Sequence, residues 1–152
     1  MMRKFKFALQ PVLGHRERIE DEKQQVFAAR SSELQAALED LARLNGDFKR
    51  YSTALRDDHA QLSTDELRWH YAHLEYLDRC IARQHTVIAQ CRQAVELARV
   101  DLTAASQDRK VMEKLKNKRY EQHRALEAAY EQRELDDANA RRRVGNPLGG
   151  FA

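Results

Sequence analysis

The sequence predicts an all-α fold, an elongated antiparallel two-helix coiled-coil hairpin with a longer second helix. Three observations carry that prediction. Ala, Leu, Gln, Glu, Arg and Lys dominate, while Gly occurs 5 times and Pro 2 times, the bias of long helices rather than sheets. Charged residues make up 34% of the chain and aromatic residues only 7%, too polar a mixture for a thick globular core. Apolar residues recur in 3–4 alternation along two stretches separated by a capping signature, the pattern by which helices pair through a narrow seam.

Residues 1–10 read as a basic-aromatic leader. Pro11 suits the first turn of a helix, where its missing amide donor costs nothing, so a first coiled-coil helix is expected over 11–62. Its stripe runs through Val12, Ile19 and Val26 at sevens and, after a one-residue phase slip, through Leu34, Leu41, Phe48, Leu55 and Leu62. Ala37, Leu44 and Tyr51 fill the intervening positions. Asn45-Gly46-Asp47 alone would signal a turn, but the heptad phase passes through it from Leu41 to Phe48, so the segment is expected to stay helical. Gly46 then weakens the helix by about 1 kcal/mol relative to Ala.

Ser63-Thr64-Asp65-Glu66 is a capping box, in which the Ser63 hydroxyl and the Glu66 carboxylate each satisfy an orphan amide at a helix start. Leu62 and Leu67 flank it as a hydrophobic staple, and the turn is expected over 63–66. A second helix over 67–140 carries the stripe Leu67, Leu74, Leu77, Ile81, Ile88, Cys91, Val95, Ala98, Leu102 and Ala105. The phase shifts near Met112 and Leu115, with Leu126 and Tyr130 beyond. Gly145-Asn146-Pro147 ends any helical pattern, leaving 141–152 as an expected disordered tail. Folding back at Ser63 sets Leu34 beside the Cys91 to Val95 turn and Val12 beside roughly Lys114. The second helix beyond about Lys116 is then expected to project unpaired.

Catalytic signatures are missing. There is no glycine-rich phosphate loop, no His-Glu-x-x-His pair and no Gly-x-Ser-x-Gly elbow, and a two-helix hairpin offers no deep pocket. No enzymatic activity and no cofactor are expected. His70 and His73 lie one helical turn apart, and His59 could fold back toward them as a metal site. The plainer assignment, partly exposed helix histidines beside Trp69 and Tyr71, is favoured. Glu20, Asp21 and Glu22, like Asp136 and Asp137, sit among basic residues and read as a solvated face. Cys80 and Cys91 are about 16 Å apart along one helix, beyond disulfide reach within one chain. No run of about 18 apolar residues exists to span a bilayer, and Arg3, Lys4 and Lys6 are not followed by the apolar stretch of a secretory signal. A cytoplasmic protein with at most peripheral membrane contact is expected.

The net charge is only +3, but its distribution is uneven. Between residues 109 and 119 six basic residues, Arg109, Lys110, Lys114, Lys116, Lys118 and Arg119, face one acid, Glu113. The hairpin brings Arg3, Lys4, Lys6, Arg16 and Arg18 to the same end, so two distant segments build one positive surface. Its partner should be acidic. Phe5 and Phe7 favour a protein-docking end. A nucleic-acid or lipid-surface binder ranks lowest, because no nucleic-acid-binding motif is present and Glu17, Glu20, Asp21 and Glu22 share the arm with the basic leader. A generic coiled-coil scaffold or homodimer is the stronger rival.

The two ends also carry a family resemblance. Phe5-Lys6-Phe7-Ala8-Leu9-Gln10-Pro11-Val12-Leu13 followed by Arg16 and Glu17 resembles the start of the flagellar type III export protein FliJ family. Arg109-Lys110-Val111-Met112-Glu113-Lys114-Leu115-Lys116, with Glu131-Gln132-Arg133-Glu134-Leu135-Asp136-Asp137-Ala138 downstream, is similar as well. Asp137 departs from the Glu expected in that family's Leu-Asp-Glu signature and keeps the charge. The resemblance implies a monomeric stalk, similar to the gamma subunit of rotary ATP synthases, whose open end enters the hexameric flagellar export ATPase. It further implies contact with the cytoplasmic domain of the export-gate membrane protein and with export chaperones, and a location peripheral to the membrane through the export apparatus. Carried onto this chain, the ATPase-ring contact falls on Phe5, Phe7, Arg109, Lys110, Lys114, Leu115 and Lys118. The gate contact falls on Leu41, Leu44, Phe48, Leu77 and Cys80, with Asp47 and Tyr51 as their exposed neighbours.

Overall fold

A computed structural model describes residues 3–145. Two helices account for almost all of them. Helix α1 spans Gln10–Asp58, a single 3-10 turn follows at His59–Gln61, and helix α2 spans Thr64–Val144. At 49 and 81 residues the second helix is much the longer, and the described residues contain no strand. The chain divides into two compact units, residues 19–106 and residues 1–18 with 107–152.

In the unit of residues 19–106 the helices pack antiparallel. The capping box forms at its turn: the Glu66 amide donates to Ser63 Oγ at 3.3 Å, and the Ser63 amide donates to Glu66 Oε2 at 2.9 Å. Helix α1 stops at Asp58 rather than 62, because the chain tightens through the 3-10 turn before the cap. Ala37, Leu55, Leu77, Ile88, Ala98 and Ala105 are buried, and Leu34, Leu41, Leu44, Phe48, Leu74, Ile81, Cys91, Val95 and Leu102 are half-buried around them. Ala37 and Ala98 are small, which lets the backbones approach. Gln84 Nε2 accordingly reaches across to donate to the Ala37 carbonyl at 2.8 Å. That tie and the Tyr51–His73 ring contact set Leu34 level with residues 87–90, adjoining the Cys91 to Val95 turn expected.

The first part of the seam departs from the sequence reading. Val26 is exposed, while Glu20, Lys23, Phe27 and Ser31 are half-buried. The heptad therefore continues from Glu20 and Phe27 into Leu34, Leu41, Phe48 and Leu55 without a phase slip. Ile19 is half-buried too, so only Val26 imitates a seam one position away. The seam here is carried in part by Glu20 and Lys23, whose long aliphatic stems suit a half-buried position.

In the other unit, Leu13 is 2% exposed and Phe7 8%. Arg16 pairs with Asp108 at 3.2 Å, so Val12 lies close to the turn expected. The half-buried positions of α2 here are Arg109, Met112, Glu113, Leu115, Lys116, His123 and Glu127, so Met112 and Leu115 are partly covered, as expected, and the seam widens there. Leu126, expected on the stripe beyond them, is instead 64% exposed. The leader, residues 3–9, has no helix of its own until the Gln10 amide closes a turn on the Phe7 carbonyl at 3.1 Å. It lies along α2 as far as His123, so the uncovered stretch of α2 begins after Glu127, not at about Lys116. Residues 128–145 are all exposed.

Helix α2 also continues to Val144, past the expected end at 140. Arg141, Arg142 and Arg143 in its last turn complement the negative end of the helix dipole. The Gly145 amide closes on the Arg141 carbonyl at 2.8 Å. The rest of the expected tail, 146–152, lies outside the described residues.

Gly46 is exposed within unbroken helix, and a Cβ added there would meet nothing within 4 Å. Gly46→Ala should therefore stabilise the chain by about 0.5–1 kcal/mol, read as a higher urea midpoint with an unchanged slope. A lowered midpoint would show that the glycine is needed for close approach or bending.

Candidate functional site

The leader, the first turns of α1 and α2 from Gln107 onward build the charged end that the sequence singles out. Helical spacing puts Lys110, Lys114 and Lys118 on one stripe at i, i+4 and i+8, and all three are exposed. Val111, 64% exposed, and half-buried Leu115 lie beside them on the same side of the helix. Cations thus alternate with apolar side chains on a surface open to a partner. Arg109 differs from its neighbours: it lies toward the seam and pairs with Glu113 at 2.6 Å, so its charge is already partly answered.

Phe5 and Phe7 are packed inward rather than displayed. The Phe5 ring stands edge-on to Tyr120 at 5.3 Å and to His123 at 5.5 Å, within the range of favourable aromatic pairs. Phe7 is buried. With Nε2 carrying the proton, His123 donates to the Arg3 carbonyl at 3.0 Å. Both phenylalanines therefore hold the leader in place, Phe7 buried and Phe5 half-buried. Tyr120 and His123 were not singled out from sequence. Their i, i+3 spacing opposite a leader with two phenylalanines was the available signal.

The second set of candidates, Leu41, Leu44, Phe48, Leu77 and Cys80, lies in the other unit and lines the seam: Leu77 is buried and the other four are half-buried. What this unit shows to solvent near its turn is aromatic. Trp69, His73 and Tyr76 recur at i, i+4 and i+7 on α2. Trp69 stacks on His73 at 5.3 Å with planes 8° apart, and Tyr51 meets His73 edge-on at 4.6 Å. Trp69 and Tyr76 are 59% and 51% exposed. A hydrogen bond with Cys80 holds the Tyr76 phenol above its ordinary pKa. Asp47, beside this group, is paired with Arg50. The sequence reading missed this stripe because it looked for seam residues, and these residues flank the seam.

Among the described residues no three His, Cys, Asp or Glu side chains come together to hold a metal ion; His70 and His73 instead pack against Trp69. No helix among them is long and apolar enough to cross a membrane. On the uncovered part of α2, a hydrogen bond with Glu134 raises the Tyr130 phenol, and this stretch is otherwise fully solvated.

Phe7→Ala should destabilise the chain by about 3 kcal/mol, the order expected for emptying a buried aromatic site. Lys114→Ala should stay within about 0.5 kcal/mol of the unaltered chain. Urea unfolding of both variants checks this contrast, and equal effects would contradict the division into packing and surface residues.

A family model described as flagellar FliJ protein matches residues 5–147 of the chain. No curated protein and no solved structure matches it.

Proposed function

Since the chain belongs to the FliJ family, and so to the flagellar export apparatus, we propose that it acts there as a non-enzymatic coiled-coil stalk that binds the export ATPase hexamer. The observation that carries this reading is the stripe of Lys110, Lys114 and Lys118 interleaved with Val111 and Leu115. An acidic, partly apolar wall is the complement of such a surface. Charge steers the encounter, and the apolar side chains contribute once water is excluded. The exposed charges also set the pace of association and its salt dependence more than its final strength.

The same reading includes contact with the cytoplasmic domain of the export-gate membrane protein and with export chaperones, and hence a peripheral location at the membrane. For the gate contact, Leu41, Leu44, Phe48, Leu77 and Cys80 serve best as the support of a surface, since they are committed to the seam. Trp69, Tyr76 and Tyr51 are the exposed aromatic residues beside them that a partner could cover.

ATP hydrolysis by the cognate export ATPase, titrated with this protein, tests the stalk. Full-length chain should stimulate hydrolysis and hexamer formation, and a variant lacking residues 1–9 should not. Reversal of Lys110, Lys114 and Lys118 to Glu should abolish the effect while leaving the helical circular-dichroism signal intact. Unchanged stimulation by the triple variant would remove the basis of the docking assignment, and a collapse of helicity would show that the lysines support the fold instead.

A second reading, self-association, is favoured by Leu126, 64% exposed at the end of the covered stretch of α2, and Leu135, 59% exposed beyond it. Sedimentation equilibrium separates the two. The stalk is monomeric, whereas a scaffold that buries this stretch against a second copy is a dimer whose mass falls on dilution.

A further inference from the structure

We infer that Tyr120 and His123 are positioning residues of the docking end: they form a clasp that fixes the otherwise non-helical leader on α2, so that Arg3, Lys4 and Lys6 are presented to a partner in a fixed arrangement rather than on a free chain. The inference rests on the docking reading for its functional half and on geometry alone for its structural half.

The geometry consists of contacts from both the ring and the backbone of the leader. Phe5 is held edge-on by two rings one helical turn apart, Tyr120 and His123. The Arg3 carbonyl accepts from His123 Nε2 at 3.0 Å. Residues 3–7 make no helix or strand, so apart from the buried Phe7 ring and the turn that its carbonyl accepts, these contacts are what order them. Farther along, Arg16 and Asp108 pair at 3.2 Å. The two ties bracket residues 109–119 on α2 and residues 4–15 on the opposing segment. The basic residues of both strands are thus confined between two fixed points.

The consequence concerns the entropy of binding. A free leader carrying three cations would have to be ordered when a partner binds, and that ordering subtracts from affinity. A clasped leader is ordered beforehand. The partner then meets fixed charges from two segments of chain distant in sequence, and loss of the clasp weakens apparent affinity without changing the surface that α2 itself offers. Tyr120 contributes its ring, which stays 45% exposed. His123 contributes both a ring and a donor, which is why a glutamine, with an Nε2 donor of similar reach, is the informative replacement.

The test uses the full chain and two readouts. Backbone 15N relaxation of residues 4–7 should give order parameters of about 0.8 in the unaltered chain and below about 0.6 in the Tyr120→Ala, His123→Ala double variant, with residues 20–100 unchanged. His123→Gln should recover part of that order. In titrations of the export ATPase, the double variant should need roughly tenfold more protein for half-maximal stimulation and reach the same maximum, with His123→Gln in between. Leader order that is unaffected by the double variant overturns the clasp. A leader that is freed while the stimulation curve stays in place overturns the positioning role but leaves the docking reading standing. No stimulation by the unaltered chain overturns the docking reading and the positioning role with it, and the relaxation result alone then decides whether the clasp exists.

Discussion

Everything in this chain depends on a single layer of contact between two helices. A two-helix hairpin has no second layer to compensate a gap, so the seam must be continuous wherever the helices are to stay paired. The chain meets that demand with modest means. Its buried side chains include three alanines, and where apolar residues run short the stems of Glu20 and Lys23 stand in for them. The Gln84 bond to the Ala37 carbonyl shows how closely the backbones come at the small positions. It also fixes register, which a row of interchangeable leucines would leave open to slippage by a heptad.

The same constraint explains how the charged end, proposed here to dock, is built. Helix α1 starts at Gln10, and a simple hairpin would leave α2 bare from there on. The leader extends the cover without being a helix, through Phe7 in a buried site and Phe5 against Tyr120 and His123. Aromatic side chains suit this purpose because one ring covers as much area as several aliphatic groups, with few torsions to fix. With the seam side of α2 closed, the opposite side is left to Lys110, Val111, Lys114, Leu115 and Lys118. This division of one helix into a packing side and an open side is what the proposed docking role rests on.

Much of the fold was legible in the sequence, and the failures share a cause. The capping box at Ser63 to Glu66 and the stripe from Leu67 to Ala105 are strong local signals, and helical continuity through Gly46 followed from heptad phase. The seam near Glu20, and the stripe at Leu126 and Tyr130, were misread because hydrophobicity was taken as the mark of burial, whereas long polar side chains such as Glu20 and Lys23 occupy half-buried positions. The packing of Phe5 and Phe7 on α2 was not foreseen because a leader outside the helical pattern was not counted as something that could pack. Trp69 and His73 were noted only as exposed neighbours, and their grouping with Tyr76 and Tyr51 was missed for the opposite reason: it flanks the seam, where the heptad pattern attaches no significance to it.

The central claim is that the Lys110 to Lys118 side of α2 is the surface that meets the export ATPase. Site-specific photo-crosslinking tests it most directly, with a photoreactive amino acid placed at position 114 and, in a separate protein, at exposed position 69. A covalent adduct with the ATPase from position 114 and none from position 69 is the predicted result. Adducts from position 69 alone would contradict the account and move the ATPase contact to the aromatic side of the other unit.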